Sequence, residues 1–218
     1  MPPTPKQRLD PQRHFGVYRA TVTNAVDPRR RGRIQVEVPS LGRRPRVWAT
    51  FVSPYADEGA GLQLLPRAGS EVVVAFEAGD LRRPYVVGAI WGEAGALPEP
   101  GRAAADKRLL RTRAGHKLAF DDRAGAAKVE LSTAGGHRVE LDDAGQKVTV
   151  EHAAGSRIVI DAAGRIEIHA NTTIELSAAK VDVHAPVVAF DGVVSCATLI
   201  ASAGVVSPSY TPGAGNIW

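Results

Sequence analysis

Adjacent carboxylates are the residues in this chain most suggestive of catalysis. Asp121-Asp122 and Asp142-Asp143 each place two acidic side chains together, and paired carboxyl groups can act as general acid and general base. Gly125, Gly145 and Gly164, however, recur at spacings of 20 and 19 residues, the first two beside these pairs and the third beside Asp161. Asp next to Gly is typical of tight turns, so the pattern favours turns and no catalytic residue is predicted.

The single cysteine offers no better site. Cys196 lies in the apolar run GVVSCATLIASAGVV with no histidine near it in sequence, which favours a buried structural thiol over a nucleophile. One cysteine permits no disulfide within the chain. No phosphate-binding, zinc or serine-hydrolase signature is present, so neither an enzyme activity nor a cofactor is predicted.

Arginine clusters make the first half of the chain basic. Residues 1–110 carry 17 Lys and Arg against 11 Asp and Glu, whereas residues 111–205 carry 10 against 12. The excess lies in Arg29-Arg30-Arg31 and around Arg43-Arg44. Such clusters suit phosphate, but no aromatic residues are interleaved for base stacking. Loop charge on a barrel, or contact with an acidic partner protein, is therefore preferred to nucleic acid.

The arginine clusters belong to a region whose sequence predicts a small β-domain. Short apolar or alternating runs separated by Pro, Gly and Asp predict five strands, a pattern typical of a small barrel. These runs are Gly16–Thr23, Gly32–Val38, Arg46–Phe51, Glu71–Phe76 and Tyr85–Ile90. The predicted organisation is an N-terminal arm at 1–14, the barrel at 15–92 and a Pro- and Gly-rich linker at 93–110.

No targeting or membrane segment is visible in the sequence. The start MPPTPKQRLDPQRH lacks the apolar core of a secretory signal. Apolar runs stay below the ~18 residues of a membrane helix. Synthesis in the cytoplasm without a signal peptide is expected.

From Arg111 the chain becomes a near-repeat of short alternating strands and small turns. Alternation places the small apolar residues on one side of each strand. These predicted core residues are Leu118, Phe120, Val129, Leu131, Val139, Leu141, Val148, Val150, Ile158, Ile160, Ile166, Ile168, Ile174, Leu176, Val181 and Val183.

A single chain of such strands cannot bury this narrow apolar side and leaves its edges open. Three intertwined copies around a threefold axis would cover it, so residues 111–206 are predicted to form a trimeric β-helical needle. A single-chain solenoid is the alternative. By the same alternation His152, His169 and His184 are expected to face solvent with the polar side chains.

Two stretches of the first half resemble the barrel of phage baseplate assembly protein V and of VgrG spikes. They are FGVYRATVTNAVDPRRRGRIQVEVPSLG and VWATFVSPYADEGAGLQLLPRAGSEVVVAFEAGDLRRPYVVGAIWG. The matching positions after Trp48 are Pro66, Gly69, Glu71, Val72, Val74, Phe76, Gly79, Asp80, Pro84, Val86 and Gly88. The repetitive half resembles the needle of the same family.

The resemblance implies an all-β, homotrimeric spike of a contractile injection machine, such as a phage tail or pyocin-like particle. Its oligonucleotide/oligosaccharide-binding-type (OB-type) barrel would dock on a baseplate hub, and its needle would touch and pierce the target membrane. The hub is expected to be a separate protein, because only about 14 residues precede the barrel. The linker has no room for a lysozyme domain. A trimeric receptor-binding fibre or adhesin, or a β-helical polysaccharide-active enzyme, is the alternative function.

The end of the needle raises two further expectations. Some spikes of this family bind a metal through a His-x-His motif near the tip; this sequence has no such motif, so no metal is predicted. The tip segment at 207–218 carries Tyr210, Ile217 and Trp218. Their apolar side chains would expose an unusual patch, which predicts contact with a PAAR-like cap protein; a frayed terminus, or a segment that folds back along the needle and closes it, is the alternative.

Overall fold

The computed structural model describes residues 13–42, 46–92, 97–99, 101 and 105–207. Its secondary structure is almost entirely β, as the sequence predicts. Two short 3-10 helices, Pro39–Leu41 and Glu77–Gly79, lie between barrel strands. No helix in the described ranges is long and apolar enough to cross a membrane.

Five strands close into a barrel in the order β1-β2-β3-β7-β6. They are β1 (Val17–Asn24), β2 (Arg33–Glu37), β3 (Arg46–Phe51), β6 (Glu71–Phe76) and β7 (Pro84–Ile90), with a small hairpin, β4 (Ala56–Asp57) and β5 (Ala60–Gly61), between β3 and β6. All barrel pairs are antiparallel except β3 with β7. The predicted five-stranded barrel is confirmed.

Alternate residues of the barrel strands form its core. The buried side chains are Ala20, Val22, Ile34, Val36, Val38, Ala49, Val72, Val74, Phe76 and Val86. β-Branched side chains dominate because they pack well on a pleated surface, and closure leaves no free strand edge. The barrel therefore completes its apolar core within one chain.

Seven further strands form a single antiparallel sheet in which each strand pairs with its sequence neighbour. They are β8 (Lys107–Arg111), β9 (Lys117–Asp121), β10 (Lys128–Ser132), β11 (Arg138–Asp142), β12 (Lys147–Glu151), β13 (Arg157–Ile160) and β14 (Ile166–His169). The repeat predicts strands intertwined between chains; in this part the strands pair inside one chain, because tight turns join strands of four or five residues.

Residues 172–207 form a second compact unit, distinct from residues 1–171. None of its described residues belongs to a strand, although alternation predicts strands around Ile174–Leu176 and Val181–Val183. Every described residue of this unit is exposed. Among the residues that the structure describes, this alternating segment pairs with no strand.

Candidate assembly interface

The twelve predicted core residues on β9 to β14 lie opposite one another in two columns. Strand register pairs Leu118 with Leu131, and Phe120 with Val129. The pairing continues through every following strand to Ile158 with Ile168 and Ile160 with Ile166. The antiparallel register thus brings all twelve onto one side of the sheet, which we call the apolar face.

The apolar face is uncovered in the single chain. Ten of its twelve side chains are exposed, from 37% for Leu118 to 64% for Ile166, and Val129 and Val148 are half-buried. Soluble proteins rarely leave a continuous apolar surface of this kind bare. A sheet with this face in water would be unstable alone.

The opposite face is polar and covers itself with ion pairs. Glu140 is 5% exposed, and its carboxylate accepts hydrogen bonds from Lys128 at 3.0 Å and Arg138 at 3.2 Å. Arg138 also reaches Glu151 at 3.1 Å. The long side chains lie over the strands and shield Ala119 and Thr149. This face can remain in water, so the apolar face is the one that needs a partner.

The carboxylate pairs lie in or beside turns. Asp121 accepts hydrogen bonds from the guanidinium and backbone N–H of Arg123, and the guanidinium hydrogen bond lowers the pKa of Asp121 to about 2. Asp142 accepts the backbone N–H of Gly145 at 2.8 Å. Asp161 accepts hydrogen bonds from the backbone N–H and the guanidinium of Arg165, each at 3.0 Å. These carboxylates fix turns, as the sequence predicts.

The β1–β2 loop is held by a buried carboxylate. Asp27 accepts the backbone N–H groups of Arg29 and Arg31, each at 2.9 Å, and a bidentate pair from Arg33 at 2.8 and 3.0 Å. The hydrogen bond from Arg33 keeps the pKa of Asp27 well below its usual range. The Arg33 guanidinium also lies 5.6 Å from the Trp48 ring.

This arrangement fixes the arginine cluster at the loop tip. Arg30 adopts a left-handed backbone conformation with φ of 52°, and the side chains of Arg29, Arg30 and Arg31 are exposed. The sequence reveals the cluster but not the contacts that order it. The sequence feature that indicates this ordered loop is Asp27-Pro28 followed by Gly32-Arg33.

The histidines lie differently from the expectation in one respect. His152 is exposed as expected, but it lines an open cavity of about 500 Å³ with Val150, Ile158 and Ile168 of the apolar face. The reason is strand parity, because residues 148, 150 and 152 point to the same side. No cluster of three or more metal-ligating side chains is found within the described ranges.

The predicted core residues beyond β14 are all exposed in the single chain. Ile174, Leu176, Val181 and Val183 lie in the second compact unit. Cys196, expected to be buried, is exposed there as well. The tip residues Tyr210, Ile217 and Trp218 lie outside the described residues.

Two family models match the chain. Residues 18–91 match the type VI secretion system/phage-baseplate injector OB domain. Residues 128–188 match the phage baseplate V C-terminal trimerisation domain. The first match spans the barrel, and the second begins in β10 and runs past β14 into the second unit.

A curated relative matches over a shorter stretch. The chain is 27% identical over 108 residues to the type VI secretion system spike protein VgrG3 of Vibrio cholerae serotype O1. The match covers 45% of this chain and 11% of the relative's length. The chain therefore spans about a tenth of that spike protein.

Proposed function

We propose that this chain, which belongs to the phage baseplate V and VgrG-like spike proteins, is the structural central spike of a contractile injection machine. In this proposal three copies assemble through the apolar face and the second unit. The barrel docks on the baseplate hub, and the needle pierces the target envelope. The spike performs no chemistry, and the particle's contraction supplies the force.

The uncovered apolar face is the observation that carries the proposal. Two columns of Leu, Val, Ile and Phe run across six strands, and the trimerisation model overlaps them from β10 onward. Three such faces around a common axis would bury one another and leave the ion-paired faces in water. Burying each large aliphatic side chain contributes about 1.5–3 kcal/mol, so assembly of the trimer supplies the core that one chain lacks.

The second unit supports the same arrangement. Val193, Ile200 and Val206 are each at least 90% exposed, and no charged residue follows Asp191 in the sequence. Such a segment gains its pairing partners and its core together when three copies wind around one axis. Stiffness follows, because no intertwined strand can open without disturbing the other chains.

The barrel is the proposed docking domain. Its core is closed within one chain, and the arginine cluster lies on the exposed loop between β1 and β2. Arg29, Arg30 and Arg31 are presented in a conformation fixed by Asp27, which lowers the entropy lost on binding. This arrangement supports contact with an acidic surface of a hub protein rather than with nucleic acid.

The tip segment at 207–218 is proposed to bind a small PAAR-like cap. Three copies of Tyr210, Ile217 and Trp218 would form an apolar platform matched to a cone with a threefold base. The proposal rests on the residue types alone.

Gene replacement in the phage or bacterium that encodes the chain tests the function. Deletion should leave particles unable to inject, and the wild-type gene should restore injection. A copy carrying Ile168→Asp, which places a charge on the apolar face, should fail, whereas Glu167→Gln on the polar face of the same strand should succeed. Injection by particles lacking the chain, or rescue by Ile168→Asp, would contradict the proposal.

A further inference from the structure

The turns of the seven-stranded sheet lie along two edges of different composition. Because each strand pairs with its sequence neighbour, successive turns alternate between the edges. One edge, which we call the histidine edge, contains three His, one Arg and no acidic residue in the turns 112–116, 133–137 and 152–156. The other, which we call the aspartate edge, contains five Asp and two Arg in the turns 121–127, 142–146 and 161–165. The aspartate edge is therefore acidic, and the histidine edge is not.

Two strands carry the same residues at their ends. The sequence HKLAFDD begins at His116, and HRVELDD begins 21 residues later at His137. The corresponding stretch around β13, residues 156–162, reads SRIVIDA. There the histidine and the second aspartate are both absent, whereas the first aspartate is kept. A histidine on one edge and the second aspartate on the other edge thus occur together or not at all.

The two members of each pair cannot meet within one chain. His137 precedes β11 and Asp143 follows it, and six residues of extended strand span about 20 Å. The same separation divides His116 from Asp122 across β9. Any contact between such a histidine and such an aspartate must therefore join two copies of the chain.

The second aspartates have no partner among the residues that the structure describes. The first aspartates fix turns: Asp121 accepts from Arg123 at 2.7 Å, and Asp142 accepts from Gly145 at 2.8 Å. In contrast, no described donor reaches the carboxylate of Asp122 or Asp143, and both residues are exposed. Each second aspartate therefore offers a carboxylate that can accept a hydrogen bond from another chain.

The histidines offer a matching donor. The Nδ1 atoms of His116 and His137 accept the backbone N–H groups of Ala134 and Ala153, each at 3.3 Å. A ring whose Nδ1 accepts a hydrogen bond carries its proton on Nε2. Both rings are exposed, so each histidine presents an Nε2–H group whose orientation is fixed by the neighbouring turn.

The shape of the apolar face determines which edges meet in the proposed trimer. The face is only two columns wide, but it continues from β9 to β14, over about 24 Å at the usual strand spacing. Three such narrow faces bury one another around an axis parallel to the columns. Interfaces in a cyclic trimer are head-to-tail, so the histidine edge of one copy lies against the aspartate edge of the next.

The paired residues lie on the side of the sheet that assembles. By strand parity His116 and Asp122 point to the same side as Leu118, and Asp143 points to the same side as Leu141. His137 lines the open cavity on the apolar face. Because each pair flanks a single strand, its members lie at the same height along the axis.

We infer that His116 of each copy donates to Asp122 of the next copy, and that His137 donates to Asp143 of the next copy. The inference rests on the proposed trimer. These two contacts at each interface fix the axial register of the three sheets, which apolar columns of similar side chains leave free to slide. The Ser156 and Ala162 ends of β13 make no such contact.

Cysteine cross-linking of the full-length chain tests this register. In a Cys196→Ser background, His137→Cys with Asp143→Cys places two thiols about 20 Å apart within a chain but next to each other between copies. A disulfide needs Cα atoms about 4.4–6.8 Å apart, so it forms only between copies. We expect covalent trimers on a non-reducing gel and single chains after reduction. His116→Cys with Asp122→Cys should behave in the same way.

Recombining the same substitutions gives the matched control. His116→Cys with Asp143→Cys offsets the two thiols by two strands, about 10 Å along the axis, and should leave single chains. Cross-linking of this control, or no cross-linking of the matched pairs in a chain that has the mass of a trimer, would overturn the register alone. A wild-type chain that stays monomeric would overturn the proposed trimer as well.

Charge exchange tests the His137 pair without cysteines. His137→Asp would set two carboxylates against each other and should lower the unfolding temperature of the trimer. Adding Asp143→Lys should restore at least half of that loss, because an opposite charge then faces the new carboxylate. Adding Asp122→Lys instead should restore less, because residue 122 lies two strands away. An equal loss with and without Asp143→Lys would overturn the pairing, even if the cysteine variants failed to fold.

Discussion

The barrel and the seven-stranded sheet use the same kind of strand but dispose of their apolar side chains differently. In the barrel, alternate valines and isoleucines point inward, and Ile34, Val36 and Val74 are completely buried. In the sheet, a similar alternation leaves Ile158, Ile166 and Ile168 exposed. A barrel closes on itself, whereas a meandering sheet has one face with nothing over it.

The difference shows where each region obtains its stability. The barrel is complete within one chain, so its folding should not depend on protein concentration. The sheet and the second unit gain a core only from other copies, so their stability should depend on concentration. Mutations in the two regions should therefore have separable consequences.

The largest effect is expected from a charge on the apolar face. Ile168→Asp would bring three carboxylates together near the proposed axis, and burying unpaired charge costs several kcal/mol for each group. We expect loss of the trimer in light scattering while the circular dichroism signal of the barrel persists. Trimers of wild-type stability at neutral pH would mean that the face is not the interface.

Glu167→Gln is the matched control for that variant. Glu167 lies next to Ile168 on the polar face, where it pairs with Arg157 at 2.8 Å. Exposed pairs of this kind contribute about 0–1 kcal/mol. The control should therefore assemble normally.

A smaller effect, confined to the barrel, is expected from Asp27→Asn. The substitution keeps the size of the side chain but removes the charge that holds Arg33 and the loop backbone. The barrel should unfold at a lower temperature, while the mass of the trimer stays unchanged. Glu58→Gln, on the exposed β4–β5 turn, is the control and should unfold as the wild type does.

The pH dependence of this effect has a defined sign. The pKa of Asp27 is lowered in the folded chain by Arg33, so its contribution is fully present above the ordinary value of 3.8. It is lost only as the pH falls through the lower folded value. The stability difference between wild type and Asp27→Asn should therefore be constant at neutral and mildly acidic pH and should shrink in strong acid. A difference that disappears between neutral and mildly acidic pH would contradict this account.

Local patterns in the sequence predict the barrel strands almost to the residue. The run Arg46–Phe51 and the run Glu71–Phe76 coincide with β3 and β6, because alternation and turn residues agree there. Lys107–Leu110, expected to lie in the linker, begin β8 instead. KRLLR alternates poorly, and its pairing depends on the free edge of β9, which is a tertiary effect.

The apolar face of the sheet can be predicted from the sequence, but the contacts between individual side chains cannot. Alternation alone groups Leu118 with Phe120 and Ile166 with Ile168. It does not show that the His137 and His152 rings lie 4.5 Å apart, because this contact depends on the pairing of β11 with β12. The fixed conformation of the β1–β2 loop, which carries the arginine cluster, likewise depends on Arg33. Arg33 contacts Asp27 only once β2 has formed.

The mass of the wild-type chain in solution tests the central claim most directly. Light scattering or sedimentation equilibrium at low micromolar concentration should give three times the 23.0 kDa of one chain. Dilution should release unfolded sheet together with intact barrel. A folded monomer of 23.0 kDa that is stable at every concentration would contradict the account, because the apolar face would then need no partner.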